Sequence, residues 1–292
     1  MCNYFLLLSI CMLSCLSVAS GQDKLPDSVK SFAQRIASER EKIVSYKVGV
    51  TVETRILASP DFTEQTAQNV REYYFEFSRL EKHFVDASRS VQETNGKKDF
   101  SDWSMHAESE SIKFAGSGKK LGLVEKGKIE PRFFDPLVAG LHFCEMFFRY
   151  SSYEDTLLSF SQRSPVMDVV KSEQDGTVVL SCPSDGMKMI VDSKRGFWPI
   201  SYEAFHVYDF EALRREKVDK IDQRLTQILT KVNGVYMPLE TNMSCLVDGK
   251  VGKKIAKLKF DWKVVNEPIK TGKDAVPAVA EALGMKVVKI SN

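Results

Sequence analysis

An excess of charge of one sign is absent from this sequence. Its 41 Lys and Arg against 39 Asp and Glu leave a formal net charge of +2 over 292 residues. A nucleic-acid binder concentrates cations along a phosphate backbone, so nucleic acid is not an expected partner. Histidine is also scarce: His83, His106, His142 and His206 are scattered singly. No CxxC and no Cys/His ligand cluster occurs, so neither a metal nor a cofactor is expected. Signatures of the GxSxG, HExxH, DxDxDG and GxxxxGK[ST] kinds are missing too. The nearest local cluster, "SCPSDG" with Cys182, Ser184 and Asp185, reads as an Asp–Gly turn. His206, within an aromatic run, reads as a packed side chain. Catalysis is therefore not expected.

A long apolar run is missing as well. The longest, Tyr4 to about Leu16, precedes any charged side chain and ends in "SVASG". It is shorter than the roughly 20 residues of a spanning helix and reads as a secretory signal over residues 1–21. Export to a periplasm or the exterior follows, with a lipid anchor at Cys15 as a minor alternative. Removal of that segment leaves Cys144, Cys182 and Cys245. An odd set permits at most one internal disulfide, and buried free thiols are the simpler reading.

What is present is a change of period. Val29, Phe32, Ala33, Ile36 and Ile43 mark an amphipathic helix over 26–43. Alternation of period two follows. Tyr46, Val48, Val50 and Val52 share one face, with Lys47, Thr51, Glu53 and Arg55 on the other. Tyr73, Phe75 and Phe77 oppose Glu72, Tyr74 and Glu76. Strands are expected over 45–124, interrupted by a turn at Asn95–Gly96. The stretch 135–160 breaks the alternation and reads as an apolar helical insert, with Leu137, Leu141, Cys144 and Phe148 on one face. Strands resume over 166–266. The last sets Ala256, Leu258, Phe260, Trp262 and Val264 against Lys257, Lys259, Asp261 and Lys263. Residues 267–292 read as a tail with a weak helix. The pattern Gly–aromatic–Pro occurs twice, in "RGFWP" and "NGVYMP". Glycine permits positive φ and proline cannot donate to a ladder, so both mark hairpin corners of a meander.

The expected fold is α+β, predominantly β: one domain over 22–292, a curved antiparallel sheet or incomplete barrel covered by a few helices. The element order, with "FDPLVAGL", "MKMIVDSKRGFWPI" and "NGVYMPLE", resembles the exported lipoprotein-localisation fold of the LolA/LolB type. That resemblance implies a half-barrel whose hollow holds acyl chains, and an arginine inside the cavity, for which Arg55 and Arg71 are candidates by location. The inward strand faces and the apolar insert give that hollow a hypothetical lining of Tyr46, Val48, Val50, Tyr73, Phe75, Phe77, Leu141, Phe147, Phe148, Phe260 and Trp262. The function so implied is non-catalytic binding of a lipid, a lipoprotein or its lipidated segment, with an envelope protein as a further partner. An interaction scaffold whose half-barrel is filled by its own side chains is the alternative, and a cryptic enzyme a second.

Overall fold

The computed structural model describes residues 27–57, 65–81, 83–94, 97–107, 112–117, 120–126, 136–141, 168–171, 176–182, 187–205, 221–247, 252–269 and 286–288. Helix α1 (Asp27–Glu41) is followed by β1 (Ser45–Leu57), β2 (Gln65–Ser78), β3 (His83–Thr94), β4 (Lys97–Ala107), β5 (Ile112–Ser117) and β6 (Lys120–Lys126). After the short turn of Pro136–Val138 come β7 (Asp168–Lys171), β8 (Thr177–Cys182), β9 (Met187–Asp192), β10 (Trp198–Phe205), β11 (Ile221–Val232), β12 (Val235–Val247), β13 (Gly252–Val265) and β14 (Lys286–Val288). All lie in one open sheet of order β14-β6-β5-β4-β3-β2-β1-β13-β12-β11-β10-β9-β8-β7.

Two meanders, β1 to β6 and β7 to β13, are thus joined edge to edge by β1 and β13. Every pairing is antiparallel except β14 on β6, where Lys286 faces Lys120. The segment expected to be a tail therefore supplies an edge strand. The sheet does not close into a barrel, because β14 and β7 end it without pairing to each other.

The register carries one face across the sheet. Leu180, Met189, Tyr202, Leu225, Met243, Ala256 and Thr54 form a single cross-strand row. Directly opposed residues share a face, so this row defines the inner side. Helix α1 lies on it. Val29, Phe32, Ala33 and Ile36 pack with Leu180, Met189, Tyr202 and Leu225 in one buried cluster. Ile43, just past the helix, joins a second cluster with Tyr46, Val48, Val50, Phe75 and Phe260. Each such side chain contributes on the order of 1.5–3 kcal/mol by leaving water.

Arg40 occupies the next position of the same helical stripe and is only 3% exposed. Its guanidinium donates to the carbonyls of Leu137 (3.1 Å), Gly196 (2.5 Å) and Phe197 (3.2 Å). Its Cζ lies 3.3 Å from the centre of the Trp198 ring. A planar fork with several donors can satisfy diverging carbonyls while stacking on indole, which an ammonium cannot. Arg40 thereby ties α1 to the turn at Leu137 and to the β9–β10 corner.

Both expected corners form. In the first, Asp192 Oδ1 accepts from the amides of Lys194 and Arg195 at 3.0 Å, and Gly196 adopts φ 76°. In the second, Asn233 and Gly234 hold φ 45° and 85° between the paired Val232 and Val235. Two successive positive φ values match the twist of the flanking strands. Pro199 and Pro238 each sit beside a register shift in their ladders. They are tolerated inside strands because a bulge removes the need for a donor.

Two further expectations change. Leu137 does not open an α-helix: Pro136–Val138 form one 3-10 turn that runs through buried Leu141. Pro136 is compatible with a helix start, since a first-turn N–H has no intrahelical partner; Gly140 at φ 84° is what turns the chain away after one turn. The rest of the insert lies outside the described residues. Val264 does not share the inner face with Trp262. The ladder shifts between Lys47 and Val48, so Trp262 faces Val48 while Val265, fully buried, faces Tyr46. One extra residue in a strand exchanges the faces beyond it.

Candidate ligand-binding face

The residues expected to line a hollow come together at the centre of the sheet. Val48 faces Phe75 on β2 and Trp262 on β13; Val50 faces Tyr73 and Phe260; Tyr46 faces Phe77. The rings follow from this register. Tyr46 stacks on Phe77 with centroids 5.3 Å apart and meets Trp262 edge-on at 5.8 Å. Tyr73 and Phe75 are parallel at 6.1 Å, as are Phe260 and Trp262 at 6.0 Å. Offset and edge-on geometries suit the ring quadrupoles. Trp262 Nε1 donates to the Pro238 carbonyl at 2.6 Å, which lets a polar N–H sit within an apolar face.

Burial is graded along this face. Tyr46, Val48, Val50, Phe75 and Phe260 are closed to solvent. Farther along β1, Val52 and Thr54 are half-buried and Ile56 is 40% exposed. Tyr73, Phe77, Trp262, Ala256 and Met243 are half-buried around the same cluster. The fully closed side chains act as core. The half-buried ones form an apolar rim over β2, β1, β13 and β12. Leu141 is buried with α1 in the other cluster and does not join the aromatic group. Phe147 and Phe148 lie outside the described residues.

The two arginines part company. Arg55 is exposed on the outer face, with Glu53 at 4.0 Å. Arg71 lies on the inner face opposite Val52, half-buried, and its Nε reaches Ser90 Oγ at 3.4 Å. The deeply buried arginine is Arg40, which the sequence reading passed over. Its place in the stripe of Val29, Ala33 and Ile36 was the available signal.

Polar residues on the inner face were also missed. Gln223, Gln227 and Thr241 are 1%, 7% and 1% exposed. Thr241 Oγ1 donates to Gln227 Oε1 at 2.8 Å, and Gln223 Nε2 lies 3.9 Å from the thiol of Cys245. Cys245 is half-buried. On the outer face, Glu76 is 5% exposed and accepts from Lys47 and from the Tyr74 hydroxyl, both at 2.8 Å. Burial first, and then the Glu76 charge and hydrogen bond, push the Tyr74 phenol well above its ordinary value. Among the described residues no group of three or more His, Cys, Asp or Glu is placed to hold a metal, and no helix is long and apolar enough to cross a membrane.

No known protein family matches the chain, and no curated protein does. Among solved structures, the crystal structure of a DUF1329 family protein from Desulfovibrio piger is similar with 8% identity and a TM-score of 0.42, covering 84% of this chain and 95% of that one. A structure concerned with lipid–protein interactions in lipovitellin is similar with 8% identity and a TM-score of 0.23, covering 78% of this chain and 26% of that one. Neither match carries the LolA/LolB resemblance further.

Proposed function

We propose that this chain is an exported, non-catalytic protein that binds the acyl part of a lipid, or of a lipidated protein segment, on the inner face of its sheet. The observation that supports this reading is the graded rim. Val52, Tyr73, Phe77, Ala256, Met243 and Trp262 are half-open apolar side chains continuous with a closed core. Such a rim leaves apolar area that an acyl chain would cover. The signal-like apolar run over residues 4–16 supports an envelope or extracellular setting, where an envelope protein would be a further partner.

The alternative is an interaction scaffold filled by its own side chains. Complete closure of Tyr46, Val48, Val50, Phe75 and Phe260 favours it. The two readings differ in what copurifies and in saturable binding. Mass spectrometry of organic extracts of the native protein should find acyl species in stoichiometric amount. Titration with a fluorescent fatty-acyl probe should saturate. A clean extract together with no saturable binding rejects the lipid reading in favour of the scaffold. Terminal sequencing of exported protein should find a start between about Gly21 and Asp23, and an intact Met1 would reject cleavage.

A further inference from the structure

We infer that Gln223 and Gln227 form a polar subsite on the inner face that selects acyl chains bearing a hydroxyl along their length. The inference rests on the acyl-binding reading and names the class of chain. On β11, Gln223, Leu225 and Gln227 share one side, and all three are buried. Around them stand Ala204, Tyr202, Thr241 and Met243. Each amide is satisfied at one end only. Gln227 Oε1 takes the Thr241 hydroxyl, and Gln223 Nε2 lies against Cys245 Sγ. The other ends, Gln227 Nε2 and Gln223 Oε1, have no partner among the described residues. A buried amide group left unmet is costly, and leucine would fill either position without that cost. Two such groups on one apolar face point to something polar that meets them.

The chemistry of that partner follows from the pair. One open end donates and the other accepts, and a flip of either amide would exchange these roles. A hydroxyl both donates and accepts, so it answers each end in either orientation; an ester carbonyl only accepts. The two glutamines are four residues apart on a strand, so their Cα atoms are separated by about 13 Å. That spacing lies along a ligand's body and exceeds the size of one headgroup linkage. Both open ends are closed to solvent, so the ligand enters by displacing what covers them. At Gln227 that cover includes Gly140, where an added Cβ would fall 3.2 Å from the open Nε2. The turn of residues 136–141, which Arg40 anchors through the Leu137 carbonyl, is the cover a ligand would have to displace at Gln227.

The test uses the full chain. A bound fluorescent acyl probe is displaced by a saturated fatty acid or by its mid-chain hydroxy derivative of equal length. Wild type should favour the hydroxy acid by roughly three- to tenfold, the factor that one net hydrogen bond supplies. One hydroxyl meets one glutamine at a time, so Gln223→Leu, or Gln227→Leu combined with Thr241→Val to leave no hydroxyl stranded, should reduce that preference, and all three substitutions together should abolish it. Affinity for the plain acid should be retained in each. Gln223→Met and Gln227→Met serve if the leucine variants do not fold. Equal displacement by both acids in wild type overturns the subsite and leaves the acyl reading standing. So does a preference that survives the substitutions, because the amides are then structural. Failure of wild type to bind the probe at all overturns the acyl reading and the subsite together.

Discussion

At the scale of the residue, two side chains show how polar groups are accommodated. Trp262 is half-buried, stacked on Phe260 and hydrogen-bonded to the Pro238 carbonyl. Trp262→Phe keeps the stack and strands that carbonyl, so it should cost about 1 kcal/mol. Trp262→Ala also forfeits the ring contacts and should cost about 2–3 kcal/mol, below the range for a fully packed aromatic. Urea melts separate the two, and a cost under about 1 kcal/mol for alanine would deny the ring any buried role. Tyr74 carries a pH signature. Its raised pKa means that above about pH 10 the unfolded chain releases a phenolic proton that the folded chain keeps. The folded state then binds more protons, so stability present below that pH is lost as pH rises. Between about pH 9 and pH 11 the urea midpoint of wild type should fall more steeply than that of Tyr74→Phe. Parallel slopes would remove Tyr74 from the linkage.

At the scale of the element, the corners are the most local features and the easiest to test. Gly234 has φ 85°, and an added Cβ would meet nothing within 4 Å. Gly234→Ala therefore measures backbone strain alone, about 1–2 kcal/mol. Gly140 combines φ 84° with a collision against Gln227. Its alanine variant should lose more stability than Gly234→Ala in the same denaturant series, and equal losses would mean that the Gln227 side chain yields freely. The corner residues were legible in the sequence because turn geometry depends on two or three neighbours. The turn at Leu137 was not. An apolar run at helical spacing resembles a buried helix, and the positive φ of Gly140 separates the two.

At the scale of the whole molecule, the sheet has a centre and two ends. β1 and β13 are each paired on both sides and carry the closed core, whereas β14 and β7 are edges. Amides near the centre should open only with global unfolding, and those at the edges by local fraying. Hydrogen exchange should accordingly show slowest exchange around Val48–Val50 and Leu258–Phe260 and fastest exchange in β7 and β14. Uniform protection across the sheet would contradict this order.

The alternation of apolar residues was sufficient by itself to place strands and to say which side chains share a face, because the pleat relates only nearest neighbours. It named Tyr46, Val48, Val50, Tyr73, Phe75, Phe77, Phe260 and Trp262 as one group, and the register of β2, β1 and β13 joins them. It could not name the partner strands. The β1–β13 pairing that unites the two meanders links residues about two hundred positions apart, as Tyr46 with Val265, and no local pattern encodes such a contact. Nor could it tell which inner residues would be closed and which left half-open, since cover comes from α1 and the turn at 136–141. Arg40, Gln223 and Gln227 are of residue types that usually face water. Only packing decided that they are buried, because burial belongs to what lies across from a residue and not to the residue itself.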